Sequence, residues 1–153
     1  MLEYLLIAFI VAVALVPLSH FRPSRRQRAV AQMREAAAID GLFVEFRQLP
    51  GPAGRVSAPQ GELIYYGLRL SAATTSGLSA GYWLRERDDW RAGQRPEITP
   101  GPPQDLPDAV LAASVDSGSC GIYWVESADQ DDVASIGRAL RQWCLQLAAQ
   151  PKR

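Results

Sequence analysis

From Tyr4 to Leu18 the chain carries no charged residue, and Leu5, Leu6, Ile7, Phe9, Ile10, Val11, Val13, Leu15 and Val16 make the stretch apolar all round. With Leu2 and residues 19–21 at its ends the segment reaches about 20 residues, the length a membrane-spanning helix needs at 1.5 Å rise per residue. Nine such side chains at about −0.3 to −0.6 kcal/mol each favour insertion by roughly 3–5 kcal/mol. Pro17 falls in the last turn, where it ends or kinks a helix at little cost. The alternative is a buried core helix, against which an entirely apolar circumference at the very start of the chain argues. A cleaved signal peptide needs a positive n-region and a small-x-small site. The chain opens Met-Leu-Glu, and residues 16–20 offer no such site. The pattern predicts an uncleaved transmembrane anchor over residues 1–21.

Beyond it the periodicity changes. Ser24 can cap a helix running to about Asp40, with Gly41 as the left-handed residue that ends it. Val30, Met33 and Ala37 recur at helical spacing opposite Arg28, Gln32 and Glu35, which predicts a basic stalk helix over 22–41. Residues 42–49 alternate, with Leu42, Val44 and Phe46 on one face and Glu45 and Arg47 on the other, as a half-buried strand does. Residues 50–60 are a loop by composition. Two strands follow, over 62–70 and 80–86, joined across a small polar stretch as an antiparallel hairpin or meander. Pro96, Pro100, Pro102, Pro103 and Pro107 make residues 91–107 an extended surface crossing.

Residues 108–115 fit either a short helix or a strand, and residues 121–126 read as a strand. The last element is a helix. Ser127 and Gln130 fit a capping box, and Asp129, Asp131 and Asp132 complement the helix N-terminus. Val133, Ile136, Leu140, Trp143 and Leu147 then form one apolar stripe that reads as core, with Arg138, Arg141 and Gln142 facing out. The expected architecture is a single N-terminal transmembrane helix plus an α+β domain over 42–150. Its antiparallel sheet has 4–5 strands, with helices packed on one face.

Charge sets the expected orientation. The chain balances at 16 basic and 16 acidic residues, but Arg22, Arg25, Arg26, Arg28 and Arg34 cluster just after the apolar segment with no acid before Glu35. Residues 40–151 carry nine basic and fourteen acidic residues, a net of −5. Arginines on one flank of a span mark the cytoplasmic side and suit an anionic leaflet. The expectation is a single-pass inner-membrane protein, N-terminus outside and domain in the cytoplasm. An acidic globular part argues against nucleic acid as a ligand, since the phosphate term needs a basic face.

Candidate chemistry is sparse. His20 is the single histidine and lies at the membrane boundary, so neither an ordinary zinc site nor a Ser-His-Asp triad can be assembled within the domain. In a reducing compartment Cys120 and Cys144 are small core residues, whereas in a periplasmic domain a disulfide joining strand to helix becomes plausible. The Asp129–Asp132 run lacks the glycine and the bidentate glutamate of a calcium loop, with Ala134 and Leu140 in those places. The charged run over 85–91 reads as a solvated turn.

The chain is therefore read as non-enzymatic and without metal or cofactor. Tyr65, Tyr82, Trp83, Trp90 and Tyr123 are the candidate interaction surface. Adjacent aromatics cannot all face inward on a strand, so one sheet face is either a second, exposed apolar surface or is covered.

An apolar helix followed by Phe21-Arg22-Pro23-Ser24-Arg25-Arg26-Gln27-Arg28, a basic helix and a strand resembles the start of the small auxiliary single-span subunit of the bacterial Sec preprotein translocase. The resemblance covers residues 4–46. That family's helix is typically followed by Gly-Asp, where this chain has Asp40-Gly41, and the chain beyond residue 60 has no counterpart there. It implies only an accessory role beside a larger membrane complex, and composition rich in Ala, Arg and Gly suggests a bacterial source. The leading expectation is a membrane-tethered interaction, assembly or accessory factor whose partners are the membrane and a larger membrane protein complex. A membrane-anchored sensor of a small molecule or lipid headgroup comes second, and a membrane-bound enzyme third.

Overall fold

The longest pairing in the fold joins strands far apart in sequence. Leu63–Arg69 (β2) runs antiparallel to Ser119–Val125 (β6), with Ile64 opposite Trp124 and Tyr66 opposite Ile122. The computed structural model describes residues 1–20, 23–51, 63–75, 78–93, 100–126 and 130–150. Its sheet is completed by Phe43–Glu45 (β1), Gly81–Glu86 (β3), Asp89–Ala92 (β4) and Val110–Val115 (β5). The order is β1-β2-β6-β5-β3-β4, and every neighbouring pair is antiparallel. Helices Leu2–His20 (α1), Arg25–Ile39 (α2), Ala72–Thr75 (α3) and Gln130–Ala148 (α4) complete the elements.

Period-2 alternation divides each strand between two faces. Ile64, Tyr66, Ile122, Trp124, Val110, Ala113, Val115 and Trp83 lie in the main core with Met33 and Ala37 of α2 and the Val133, Ile136, Leu140, Trp143, Leu147 stripe of α4. A β-bulge between Val110 and Ala112 shifts the β5–β6 register. The opposite face carries a smaller cluster of Tyr65, Leu84, Ala112 and Tyr123, flanked by Phe43, Leu49, Leu63 and Tyr82. α2 is thus part of the helix layer. Ser24 caps it through Gln27 in a reciprocal capping box, and Gly41 follows it at φ 78°.

Several expectations are corrected. Among the described residues no helix is long and apolar enough to cross a membrane. The transmembrane anchor, its single-pass topology and the inner-membrane placement with a cytoplasmic domain are withdrawn with it.

The sheet has six strands rather than 4–5. The extra one is β4: the charged run over 85–91 folds back as the β3–β4 hairpin, with Glu86 opposite Asp89 and Arg87 in the left-handed region at φ 59°. β2 and β3 do not pair. β2 lies between β1 and β6, because burying Ile64 and Tyr66 against Ile122 and Trp124 outweighs closeness in sequence. Residues 110–115 are a strand, and only residues 43–45 of the stretch 42–49 are. Arg141 faces α2 as well as solvent, since its Nη1 donates to the Asp40 carbonyl at 3.0 Å. Cys120 and Cys144 form a disulfide between β6 and α4. The proposed Ser127 and Asp129 caps and Pro96 lie outside the described residues.

Each proline of the surface crossing lacks an N–H, so the segment has few backbone donors to offer its own carbonyls. Side chains supply the donors. Trp143 Nε1 donates to the Pro100 carbonyl at 3.1 Å and Trp90 Nε1 to that of Pro103 at 3.0 Å. Arg85 Nη1 donates to the carbonyls of Leu106 and Pro107 at 3.0 and 2.7 Å. Residues 100–107 are thereby strapped to β3, β4 and α4.

Candidate functional site

Three features outside the main core carry chemistry: a polar cluster on the second sheet face, an ion pair between α2 and β6, and α1.

The first is built around Tyr65. Gly67 and Gly121 leave its ring lying across the sheet; a Cβ at Gly121 would meet Tyr65 Cζ at 2.4 Å. The Arg47 guanidinium stacks on this ring with its Cζ 4.0 Å from the centroid, donating to Glu45 at 2.8 Å and Asp116 at 3.1 Å. Asp116 opens the β5–β6 turn. Its Oδ1 accepts the backbone N–H groups of Gly118 and Ser119 at 2.9 and 2.7 Å, and its Oδ2 accepts the Ser119 hydroxyl at 2.8 Å. The Tyr65 hydroxyl lies 3.2 Å from Ser119 Oγ.

Burial opposes the charge on Arg47, yet the hydrogen bond to Glu45 and the contacts with Tyr65 and Asp116 outweigh it and raise its pKa. Burial raises the Tyr65 phenol above its ordinary value. Burial also opposes ionisation of Asp116, but the Gly118 N–H, the Ser119 hydroxyl and Arg47 hold its carboxyl below the usual range. A carboxylate with a lowered folded pKa stabilises the fold above its unfolded value of about 3.9, and that contribution is lost as pH falls through the folded value. Urea midpoints measured from about pH 6 to pH 3 are therefore expected to drop more steeply below about pH 4 for the parent than for Asp116→Asn. Equal slopes would show that Asp116 does not couple to folding.

The second feature joins residues 92 positions apart. Arg34 donates from Nε to Glu126 Oε1 at 2.9 Å and from Nη2 to Oε2 at 2.7 Å, and the Tyr66 hydroxyl donates to Oε1 at 2.9 Å. The Glu126 side chain is 8% exposed and that of Arg34 38%. The hydrogen bond to Glu126, against a smaller burial effect, raises the Arg34 pKa. Burial, then the neighbouring carboxylate, pushes up the Tyr66 phenol. Phe46 packs on the guanidinium, 5.5 Å from centroid to Cζ. Sequence reasoning missed this clamp, since Glu126 is a lone acid at a strand end.

The aromatic candidates separate. Tyr65, Trp83 and Tyr123 are buried, while Tyr82 and Trp90 are half-buried. Trp83 packs edge-on against Trp143 in the main core, centroids 5.7 Å apart, and Tyr65 packs on Tyr123 at 4.9 Å. Tyr82 lies against Gly51 and Gly93. These rings therefore fill two sides of the sheet and do not form one open surface. Of the arginine cluster, Arg25, Arg26 and Arg28 are exposed on the first turns of α2, Arg34 is engaged by Glu126, and Arg22 lies outside the described residues. No group of three or more His, Cys, Asp or Glu among the described residues could hold a metal ion.

The third feature is α1. Every large apolar side chain from Leu2 to Val13 is at least 50% exposed, Leu5, Ile7, Phe9 and Ile10 among them, so the helix offers apolar surface on all sides. Comparison with protein-family models, with curated proteins and with solved structures finds no match.

Proposed function

We propose that this chain is a non-enzymatic interaction or assembly factor that docks α1 within the apolar interior of a larger protein complex and holds the sheet domain beside it. The observation that carries this reading is the exposure of α1 around its whole circumference from Leu2 to Val13. A helix that is apolar all round calls for enclosure rather than for one packed stripe. The polar clusters of the domain support a scaffold role, because Arg47, Asp116, Ser119, Arg34 and Glu126 satisfy one another. The accessory role implied by the resemblance over residues 4–46 agrees with it.

A photoreactive residue at Ile7 of the full chain is expected to cross-link to a protein that co-purifies in mild detergent. Leu6→Glu with Ile10→Glu should abolish both the cross-link and the co-purification while leaving the urea melt of the sheet domain unchanged. Retention of the partner by that variant would overturn the reading. So would cross-linking to lipid alone, with equal binding to protein-free phospholipid vesicles.

A further inference from the structure

The Cys120–Cys144 disulfide links β6 to α4 across a sequence separation of 24, with Cα atoms 6.8 Å apart. Its ends are unlike. Cys120 is fully buried in the main core. Cys144 is partly buried and lines a cleft of about 390 Å³ between the end of β2, α3 and α4. The cleft walls are apolar at Leu68, Leu70 and Leu145, and Leu145 is 72% exposed. Arg141, one helical turn before Cys144, also lines it. A cation beside an approaching thiol favours its thiolate, the nucleophile in disulfide exchange.

We infer that the Cys120–Cys144 bond is a redox-addressable brace, opened by a dithiol reductant that enters the cleft and attacks at Cys144. The reductant's thiolate bonds to Cys144 Sγ, and the S–S electron pair leaves on Cys120 Sγ, which takes up a proton. The reductant's second thiol, as thiolate, then attacks the reductant's own sulfur in the mixed disulfide. It displaces Cys144, which is protonated in turn. The reductant ends as its own disulfide and the protein as two thiols.

Cys120 is held in the core beside the mixed disulfide and can attack it again, so a monothiol adduct reverts and a dithiol is required. Once opened, α4 loses its covalent tie to β6 at Cys144, and its last turns are held by the packing of Trp143 and Leu147. The brace persists where disulfides are maintained and yields where dithiols are plentiful.

The test uses the full chain with dithiothreitol and with glutathione, followed by acid quench, alkylation and peptide mapping. Glutathione is expected to give an adduct on Cys144 at least about tenfold more abundant than on Cys120. Dithiothreitol should reduce the bond fully, lower Tm, and speed amide exchange over residues 144–148 by about tenfold or more, with less change over 131–140. Leu145→Trp, which fills the cleft, should slow reduction without shifting the parent Tm. An adduct on Cys120 would overturn the inference, as would a reduction rate that rises with urea in step with global unfolding. Exchange over 144–148 unaltered by full reduction would overturn it too.

Discussion

Replacing Trp143 with alanine is expected to lower the unfolding free energy by about 3–5 kcal/mol, the range for deleting a fully buried aromatic ring. Trp143 is fully buried on the α4 stripe, meets Trp83 edge-on, and gives its indole N–H to the Pro100 carbonyl. The substitution therefore opens a cavity and also unfastens the proline-rich crossing. Against a typical total of about 5–15 kcal/mol the domain would be left marginal. Arg138→Ala is the control, since Arg138 is exposed and, among the described residues, its hydrogen bond is a 3.5 Å contact to the Ala134 carbonyl within its own helix. It should change stability by no more than about 0.5 kcal/mol. Urea melts of the two variants and the parent decide the matter; a Trp143→Ala melt coinciding with the parent would mean that α4 is not the core helix.

The second large effect is expected at the clamp between α2 and β6. Arg34→Ala should destabilise by about 3 kcal/mol, the low end for stranding a buried charge, because Arg34 is itself partly exposed. Among the described residues the Glu126 carboxylate, 8% exposed, would then keep the Tyr66 hydroxyl as its side-chain partner. Adding Glu126→Gln removes the stranded charge while leaving an acceptor for Tyr66. The double variant should recover a large part of the loss, and the resulting cycle measures the coupling directly. If Arg34→Ala alone melts within about 0.5 kcal/mol of the parent, the pair is effectively solvated and behaves as a surface ion pair.

Both effects bear on what could be read without the fold. The stripe of α4 was legible because helix periodicity is local: Val133, Ile136, Leu140, Trp143 and Leu147 share a face through spacings of three and four alone. The cap of α2 was legible for the same reason, since Ser24 and Gln27 satisfy one another within a single turn. The Arg34–Glu126 clamp was not, because its partners meet only after α2 is laid on the sheet. Nor was the polar cluster at Tyr65, which needs β1, β2 and the β5–β6 turn side by side. The aromatic strands were visible, but whether each ring faces helix, loop or solvent depends on which strand lies next to which.

Composition and pattern by themselves determined an apolar first segment, a capped α2, a proline-rich crossing and an amphipathic last helix. Each rests on interactions within a few residues of chain. Tertiary structure alone decided that β2 pairs with β6 rather than β3, that the charged run over 85–91 turns back into β4, and that Cys120 meets Cys144. Several strand pairings satisfy the same alternation, and the selection among them comes from the burial of Ile64, Tyr66, Ile122 and Trp124 under α2 and α4. Non-local burial is a property of the assembled layers, and no short window of sequence contains it.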